Sequence, residues 1–244
     1  MRTVVVVPTY NEAENIVPLL EAVRLAVPAA EVLVVDDGSP DGTAELAAAA
    51  GERLGAVELL RRPVKDGLGN AYREAFAWAH KRDFEAIVQL DADFSHDPRV
   101  IPALLAALDE GADVAVGSRY VPGGATPNWP VHRRLLSRWG NRYTGWILRL
   151  PMSDATSGFR AYRAHTLEAI HVDTTRSNGY AFMTEIAYRV SCWGGVVYEL
   201  PIVFTDRVRG TSKMSAAIIT ESMARVTWWG LRLRVRRPAP HLEP

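Results

Sequence analysis

The chain has 244 residues, of which 48% are hydrophobic and 23% charged, with 28 Lys or Arg balancing 28 Asp or Glu. This composition is typical of a globular protein and excludes a disordered chain, a collagen and a disulfide scaffold. The single cysteine, Cys192, cannot form an internal disulfide, and we expect it to be a small buried apolar residue. Met1 leads directly into a valine-rich strand without a secretion-signal pattern, so we expect a cytoplasmic protein.

Charge is distributed unevenly along the chain. Residues 1–118 contain 10 Lys or Arg and 20 Asp or Glu, whereas residues 119–244 contain 18 and 8. The second half also holds six of the seven tryptophans. Arginine beside tryptophan suits an anionic, partly apolar surface such as a lipid interface. The alternative is that the two halves neutralise each other inside the fold, and composition leaves both interpretations open.

Short β-branched runs alternate with helical patterns in the first half, which is typical of a parallel sheet covered by helices. The predicted strands are 3–7, 31–35, 56–60, 86–90 and 113–116, and the predicted helices are 13–27, 43–54, 70–82, 98–110 and 132–150. A Gly/Pro-rich loop follows at 121–130, and the region up to residue 204 is mixed in character. We therefore predict one Rossmann-like α/β fold, with a mostly parallel sheet flanked by helices and extended by the second half.

Polar clusters follow three of the predicted strands. They occupy residues 8–12, 36–39 and 91–93, directly after the first, second and fourth strands. In an open parallel sheet, ligands bind beyond the carboxyl ends of the strands, so these clusters mark the expected site. The sequence contains neither a G-x-G-x-x-G pattern after the first strand nor a G-x-x-x-x-G-K-[ST] phosphate loop. Phosphate must therefore be held in another way.

Two carboxylates, Asp91 and Asp93, come directly after the fourth strand. At this spacing they project toward the same side of the strand end, and they repel each other unless a cation lies between them. Magnesium is commonly held by one or two carboxylates together with substrate phosphates. A capped loop is the alternative, but Asp97 before Pro98 already supplies a cap for the next helix.

A second acidic pair, Asp36 and Asp37, follows the second strand. Asp41 or Thr43 is expected to cap the helix that comes next. Asp36 and Asp37 are then left without an assigned partner. Carboxylates at this edge suit the hydroxyls of a ribose or the N–H donors of a base.

Six motifs occur together in a recognisable order. They are VPTYNE at 7–12, DDGSPDGT at 36–43, GLGNA at 67–71, DAD at 91–93, GSRY at 117–120 and TSGFR at 156–160. On these motifs the chain resembles the inverting family-two glycosyltransferases with a GT-A fold, and within them the polyprenol-phosphate (dolichol-phosphate) mannose synthases. The resemblance covers about residues 3–213. It implies transfer of mannose from GDP-mannose to a polyprenyl monophosphate, giving a β-linked product and GDP.

The resemblance also implies which residues bind the donor and a metal. The expected nucleotide-sugar ligands at the first, second and fourth strand ends are Pro8, Tyr10, Glu12, Val35, Asp37, Asp91, Ala92 and Asp93. Asp91 and Asp93 are expected to hold Mg²⁺ or Mn²⁺ on the diphosphate, with Asp93 catalytic. Some relatives have a glutamine as a further metal ligand where this chain has Ser95, so Ser95 is a candidate third ligand.

Arginines are implied at the phosphates of donor and acceptor, because the planar guanidinium contacts phosphate through two parallel bonds. Arg119 is expected to serve both substrates, and Arg133 and Arg134 the acceptor phosphate. Residues 205–213 resemble a mobile family loop that closes over the donor, and its cations, Arg207 and Lys213, are expected to contact the donor and stabilise the departing diphosphate. Arg119, Arg133, Arg207 and Lys213 are thus the predicted catalytic residues beside Asp93.

Two acidic residues match positions near the acceptor pocket of the family. Asp154 and Glu185 are expected to orient the sugar or the acceptor, and a carboxylate on a helix surface is the alternative for Glu185. A phosphate monoester is already anionic at neutral pH, with a second pKa near 6, so a strong general base is unnecessary. The site must instead place the reactants in line and stabilise charge on the leaving GDP.

Two other functions stay open at this point. A polyprenyl-phosphate glucosyltransferase that uses UDP-glucose shares the motifs at the strand ends. A nucleotide-binding or lipid-binding module without catalysis has no use for cations on a leaving group, so the 91–93 motif and the 205–213 loop argue against it.

The expected acceptor lies in a membrane, yet the sequence contains no run of about 18 apolar residues, so we predict no transmembrane segment. We expect residues 1–213 to form the catalytic domain, and residues 214–244 an amphipathic helix and tail at the cytoplasmic face of the membrane. A helix packed on the core is the alternative for that segment, and residues 134–139 are a second candidate for the membrane surface. A membrane-anchoring protein is a candidate partner, and nucleic acid is not expected.

Overall fold

A computed structural model describes residues 1–206 and 223–231 of the chain. Within these residues, seven strands form one sheet with the order β3-β2-β1-β4-β6-β5-β7. Their bounds are β1 Thr3–Thr9, β2 Glu31–Asp36, β3 Val57–Arg61, β4 Ala86–Gln89, β5 Val114–Ser118, β6 Arg160–Arg163 and β7 Val197–Pro201. The strand β6 runs antiparallel to its neighbours β4 and β5, and the other described pairs are parallel.

Helices cover both faces of the sheet. They are α1 Ile16–Ala26, α2 Thr43–Leu54, α3 Leu68–His80, α4 Ile101–Asp109, α5 Val131–Leu148, α6 Ala164–Ala169 and α7 Tyr180–Trp193. A 3₁₀ turn, Pro98–Val100, leads into α4, and a further helical segment spans 223–231. Asp97 accepts a hydrogen bond from the Arg99 amide at 2.9 Å, which confirms its predicted role as a cap.

The core consists of one apolar cluster on each face of the sheet. Alternate residues of a strand point to opposite faces, so β1 sends Val5 and Val7 into one cluster and Val4 and Val6 into the other. All four side chains are completely buried. Because β1 is apolar on both sides, it lies in the interior of the sheet, where helices cover both faces.

The predicted α/β architecture is confirmed, and the five predicted strands are present to within two residues at each end. The strands β6 and β7 and the helices α6 and α7 lie in the region predicted only as mixed. The predicted helix at 13–27 begins later, at Ile16, because the amides of Asn15 and Ile16 bond to the Glu12 carbonyl in a preceding turn. The expectation for Cys192 is wrong, since it is exposed near the end of α7.

The predicted C-terminal unit, 214–244, is described only over 223–231. There Val226 is buried, Trp229 stacks on Tyr188 with ring centroids 6.0 Å apart, and Gly230 lies against Ile147 of α5. This part of the segment therefore packs on the body of the protein. Among the described helices, none is both long enough and apolar enough to span a membrane.

Candidate active site

The carboxyl ends of the parallel strands gather the polar segments at one edge of the sheet. The loops after β1, β2, β4, β5 and β7 meet there, together with the 154–159 segment, which enters the antiparallel strand β6 from the same edge. The order in which successive strands are added reverses between the parallel neighbours β1 and β4, since β2 and β3 lie on one side of that pair and β6, β5 and β7 on the other. A crevice at such a switch point is where ligands bind in this class of sheet.

Asp36 is engaged within the protein rather than held ready for a ligand. Its carboxylate accepts hydrogen bonds from the Thr9 hydroxyl at 2.9 Å, the Ser39 hydroxyl at 2.6 Å and the Ser39 amide at 2.9 Å. Asp36 therefore ties the ends of β1 and β2 together. The expectation that it lacked a partner is wrong, because Ser39, three residues on, turns back onto it.

Asp37 is buried beside Arg62, and the Arg62 guanidinium donates to its Oδ1. Burial raises the pKa of the Asp37 carboxyl, because a charged group loses hydration, and the hydrogen bond from Arg62 opposes this rise. Arg62 was not among the residues predicted from the sequence. The available signal was its position, directly after the third strand and at the same edge as the predicted site.

The other predicted nucleoside residues lie at the ends of β1 and β2 and have different partners. Tyr10 lies under the Lys65 ammonium, which is 3.8 Å from the centre of its ring. The Glu12 side chain accepts from Asn15 at 2.8 Å. Pro8 is half-buried and lies opposite Val35 across the β1–β2 pair, and the Val35 side chain is completely buried in the core.

The pair after β4 presents two carboxylates of different exposure. Asp93 is buried and accepts hydrogen bonds from both the amide, at 3.0 Å, and the hydroxyl of Ser95. The Asp91 side chain is 35% exposed, so it is the more open of the two. The Ser95 hydroxyl points at Asp93 in this arrangement and orients its carboxylate. The Ala92 side chain between the two acids is buried.

His96 is a further residue at this edge that was not predicted from the sequence. It is buried between the rings of Phe159 and Phe204, and its Nε2 lies 3.6 Å from Asp91 Oδ2. Gly158 approaches from the 154–159 segment, where a Cβ would lie only 3.2 Å from the same oxygen. Together they fix the position of Asp91 while leaving part of it open to the cleft.

The donor atoms at this point fit a hard divalent cation. Within the described residues there is no cluster of three or more His, Cys, Asp or Glu that would enclose a metal. Asp91 and Asp93 supply carboxylate oxygens only, and Mg²⁺ and Mn²⁺ prefer oxygen ligands. An ion bound here would have to complete its coordination with water and substrate oxygens, which is the usual arrangement for magnesium on a diphosphate.

Arg119, directly after β5, is held by Asp154 through several bonds. Its Nε and Nη2 donate to the two carboxylate oxygens at 2.7 and 2.6 Å, and its amide donates at 3.1 Å. Asp154 is completely buried. Burial alone would raise the pKa of Asp154, but the charge of Arg119 and its hydrogen bonds hold that pKa below the ordinary value. Asp154 therefore anchors Arg119 and does not reach a sugar or acceptor directly.

Arg133, in the first turns of α5, lies near Arg119. Its guanidinium stacks on Trp129 at 4.1 Å from the ring centre and pairs with Asp206 at 2.9 Å. Trp129 donates from its indole nitrogen to the same carboxylate oxygen at 2.9 Å. The Arg119 guanidinium lies 5.6 Å from the centre of the same Trp129 ring, so both arginines lie beside this tryptophan.

The remaining predicted residues fall into three groups. Arg134 follows Arg133 on α5 and is half-buried. Arg207 and Lys213 lie outside the described residues. Glu185 is buried and accepts from the Ser177 amide at 2.9 Å and from Arg189 at 2.9 Å, so it braces the segment before α7. The helix-surface alternative for Glu185 is wrong, because α7 turns it inward, and a contact with the sugar or the acceptor stays a prediction.

Comparison with known proteins places these features in a family. Residues 4–170 match the family described as glycosyl transferase family 2. The chain is 45% identical over 240 residues to the polyprenol monophosphomannose synthase of Mycolicibacterium smegmatis, covering 97% of this chain and 89% of that protein. It is 44% identical over 234 residues to the undecaprenyl-phosphate mannosyltransferase of Micrococcus luteus, covering 96% of each.

Solved structures share the fold at lower identity. The mannosyl-3-phosphoglycerate synthase of Rubrobacter xylanophilus aligns over the whole of this chain and 79% of its own length, with a TM-score of 0.70 and 18% identity. The mannosyltransferase PcManGT of Pyrobaculum calidifontis, solved in complex with GDP-Man and Mn²⁺, aligns over the whole of this chain and 66% of its own length, with a TM-score of 0.63 and 20% identity. At this identity the two alignments establish the fold alone.

Proposed function

Because the chain belongs to glycosyltransferase family 2 and has its GT-A fold, we propose that it transfers mannose from GDP-mannose to a polyprenyl monophosphate, with inversion, giving polyprenyl-phosphate β-mannose and GDP. The two relatives that match nearly the whole chain act, by their names, on lipid phosphates of this class. The observation that carries the proposal is the meeting of the Asp91 and Asp93 carboxylates with Arg119 and Arg133 at one edge of the sheet.

The donor is proposed to lie across the β1, β2 and β4 ends. Asp37 and Tyr10 bind the nucleoside, with Pro8 and Glu12 beside them and the buried Val35 opposite Pro8. Asp91 and Asp93 hold Mg²⁺ or Mn²⁺ at the diphosphate, and Ala92 lies between them. The ion neutralises phosphate charge when bound. Ser95 supports this by fixing the Asp93 carboxylate through its amide and hydroxyl.

The acceptor phosphate is proposed to bind at Arg119 and Arg133, with Arg134 beside them. Asp154 holds the Arg119 guanidinium in one orientation, so little conformational entropy is lost when phosphate binds. The Arg133–Asp206 pair is one-third exposed on both sides. Ion pairs of this exposure contribute only about 0–1 kcal/mol to stability, so an incoming phosphate can replace Asp206 as the partner of Arg133 at a small cost in free energy. Arg207 and Lys213 are proposed to contact the leaving diphosphate.

Transfer needs no strong base in this site. An anionic phosphate oxygen attacks the anomeric carbon, the new carbon–oxygen bond forms opposite the breaking one, and the bonding electrons leave with GDP. Attack from the face opposite the leaving group inverts the α-linked donor to a β-linked product. The protein's contribution is placement of the two reactants and screening of their charges.

The membrane surface is proposed to meet α5. This helix carries a set of exposed apolar residues beside arginines: Val131, Leu135, Leu136, Trp139 and Trp146, all at least half exposed. The adjoining 223–231 segment adds Trp228 and Leu231, exposed by 56% and 52%. An apolar face with Trp and flanking arginine suits the headgroup region of an anionic bilayer. We place the protein at the cytoplasmic face, with 1–213 as the catalytic domain and 214–244 as its C-terminal membrane-facing extension.

Transfer of radiolabelled sugar from GDP-mannose, and in parallel from UDP-glucose, to a short polyprenyl phosphate in detergent tests the proposal. We expect transfer from GDP-mannose alone, and at least about a hundredfold loss with a chelator or in Asp93→Ala. The matched control is Asp109→Ala, an exposed carboxylate at the end of α4, which should keep full activity. Transfer from UDP-glucose alone would assign the other donor, and no transfer from either would refute the proposal.

A further inference from the structure

A single buried arginine links three structural elements at the donor end of the site. Arg62 is only 4% exposed. Its guanidinium donates to Asp37 at the end of β2, to Asp66 in the loop before α3, and through Nε to Glu74 on α3 at 3.0 Å. Its amide also bonds to the Asp36 carbonyl at 2.8 Å. The guanidinium is thus bonded to three carboxylates, and its own main chain extends the β2–β3 pairing.

The three carboxylates differ in exposure. The side chains of Asp66 and Glu74 are 45% and 53% exposed, whereas that of Asp37 is 9% exposed. A buried guanidinium is costly unless its donors are bonded, and two exposed acids would be enough to neutralise it from the solvent side. The third bond goes to the buried Asp37, the carboxylate that is predicted to bind the nucleoside.

The preceding residue, Arg61, provides an internal comparison. Arg61 is exposed, and it pairs on the surface with Glu45 at 2.7 Å, an exposed acid of α2. Alternation along the strand turns Arg61 outward and Arg62 inward. Two adjacent arginines therefore have the same chemistry and opposite environments.

The segment that contains Arg62 also contacts Tyr10. Lys65, three residues on, places its ammonium 3.8 Å from the centre of the Tyr10 ring. Gly38, next to Asp37, packs so closely that a Cβ there would lie 3.3 Å from the carbonyl oxygens of both Arg62 and Pro63. The 62–66 segment is therefore packed against both side chains that the proposed function assigns to the nucleoside.

We propose that Arg62 is a positioning residue for donor recognition, holding Asp37 so that its second carboxylate oxygen faces the ribose or base, while Lys65 closes the Tyr10 side of the same pocket. This inference rests on the proposed function and assigns a role to residues that it does not include. Within the described part of the chain, the hydrogen bond to the Asp37 carboxylate uses Oδ1. Oδ2 is then available to a hydroxyl or N–H donor of a nucleoside diphosphate.

The test separates nucleotide binding from the later steps of transfer. GDP and UDP are titrated calorimetrically into wild type, Arg62→Gln, Arg62→Lys, Lys65→Gln and the control Arg61→Gln, and KM and kcat are measured for the donor and the acceptor. In Arg62→Gln we expect about ten- to hundredfold weaker nucleotide binding and a matching rise in donor KM. We expect kcat and acceptor KM to change less than about threefold. Arg62→Lys should recover part of the loss, because it restores the charge but not the fork of donors.

Lys65→Gln keeps the test valid if Arg62→Gln does not fold. Lys65 is exposed, and its replacement should weaken nucleotide binding about three- to tenfold through loss of the contact with Tyr10. Arg61→Gln should match wild type in every measurement. If the protein binds UDP instead of GDP and the Arg62 effect follows UDP, the donor in the proposed function is wrong and the role of Arg62 stands. Unchanged nucleotide binding in both Arg62 variants and in Lys65→Gln, or no nucleotide binding by wild type, would overturn it.

Discussion

The donor end and the acceptor end of the cleft use the same pair of groups with exchanged roles. At the donor end, Arg62 supports a carboxylate, Asp37, that is proposed to meet the substrate. At the acceptor end, Asp154 supports a guanidinium, Arg119, that is proposed to meet phosphate. The exchange follows the chemistry of the ligands, because hydroxyl and N–H donors need an acceptor and phosphate needs a cation. The two proposed ligand-binding groups also match the charge of the two halves of the sequence, since Asp37 lies in the acidic first half and Arg119 in the basic second half.

The two carboxylates differ in how completely their charge is compensated. Burial raises the pKa of Asp37 above its ordinary value even though Arg62 is bonded to it. For Asp154, burial acts in the same direction, but the Arg119 charge, two side-chain bonds and an amide bond lower its pKa overall. Folding therefore favours the ionised form of Asp154 and disfavours that of Asp37. Replacement by asparagine should therefore lower the free energy of unfolding by different amounts at the two positions.

The largest expected effect is on stability. We expect Asp154→Asn to lower the free energy of unfolding at pH 7 by about 3–5 kcal/mol, because it removes the buried carboxylate charge that compensates the Arg119 guanidinium. Asp37→Asn should lower the free energy of unfolding several times less. Asparagine resembles the neutral carboxyl, which burial favours at this position, and Arg62 keeps its bonds to Asp66 and Glu74. Urea unfolding at pH 7 measures both values. Equal losses would show that the two pairs are equivalent and would contradict the comparison.

The pH dependence of the Asp154→Asn effect has a defined sign. A carboxyl with a lowered native pKa stabilises the fold above its unfolded pKa, and this stabilisation is lost as the pH falls through the native pKa. The difference between wild type and Asp154→Asn should therefore be constant from about pH 7 to pH 5 and shrink only below about pH 4. Unfolding midpoints in urea across this range test the expectation. A difference that already declines between pH 7 and pH 5 would contradict it.

A smaller effect is expected when the positive charge is kept but its geometry is changed. Arg119→Lys retains the positive charge but loses the parallel bonds to Asp154, so the charge is no longer fixed in the cleft. We expect transfer to fall about ten- to hundredfold, with the acceptor KM rising more than the donor KM. The matched control is Arg138→Lys, an exposed arginine of α5 near Tyr120, which should lose less than about twofold. Equal losses would show that Arg119 acts only as a diffuse charge.

The two ends also differ in how far the sequence predicted them. Valine-rich strands and the acidic pairs that follow them predicted the edge of the sheet at which the polar segments gather, because strand periodicity and strand-end position are local signals. The partners of the predicted residues were not local: Arg62 lies 25 residues from Asp37, and Asp154 lies 35 from Arg119. Strands β6 and β7 were not predicted because their pairing is also non-local. The strand β6 has only four residues and pairs with β4 and β5, and β7 pairs with β5. Glu185 and Cys192 were misjudged because spacing alone does not show which face of α7 turns inward.

The smallest expected effect tests whether the acceptor end is also the end that meets lipid. Leu135 is 60% exposed on α5, close to the arginines proposed for the acceptor, and Leu25 is 86% exposed near the end of α1. Burying one leucine side chain is worth about 1.5–3 kcal/mol, so Leu135→Ser should weaken binding to anionic vesicles roughly tenfold if this face inserts. Leu25→Ser removes the same side chain elsewhere and should leave vesicle binding unchanged. Cosedimentation with vesicles of phosphatidylglycerol and phosphatidylcholine measures both variants, and a larger loss in Leu25→Ser would move the membrane contact to the donor half of the protein.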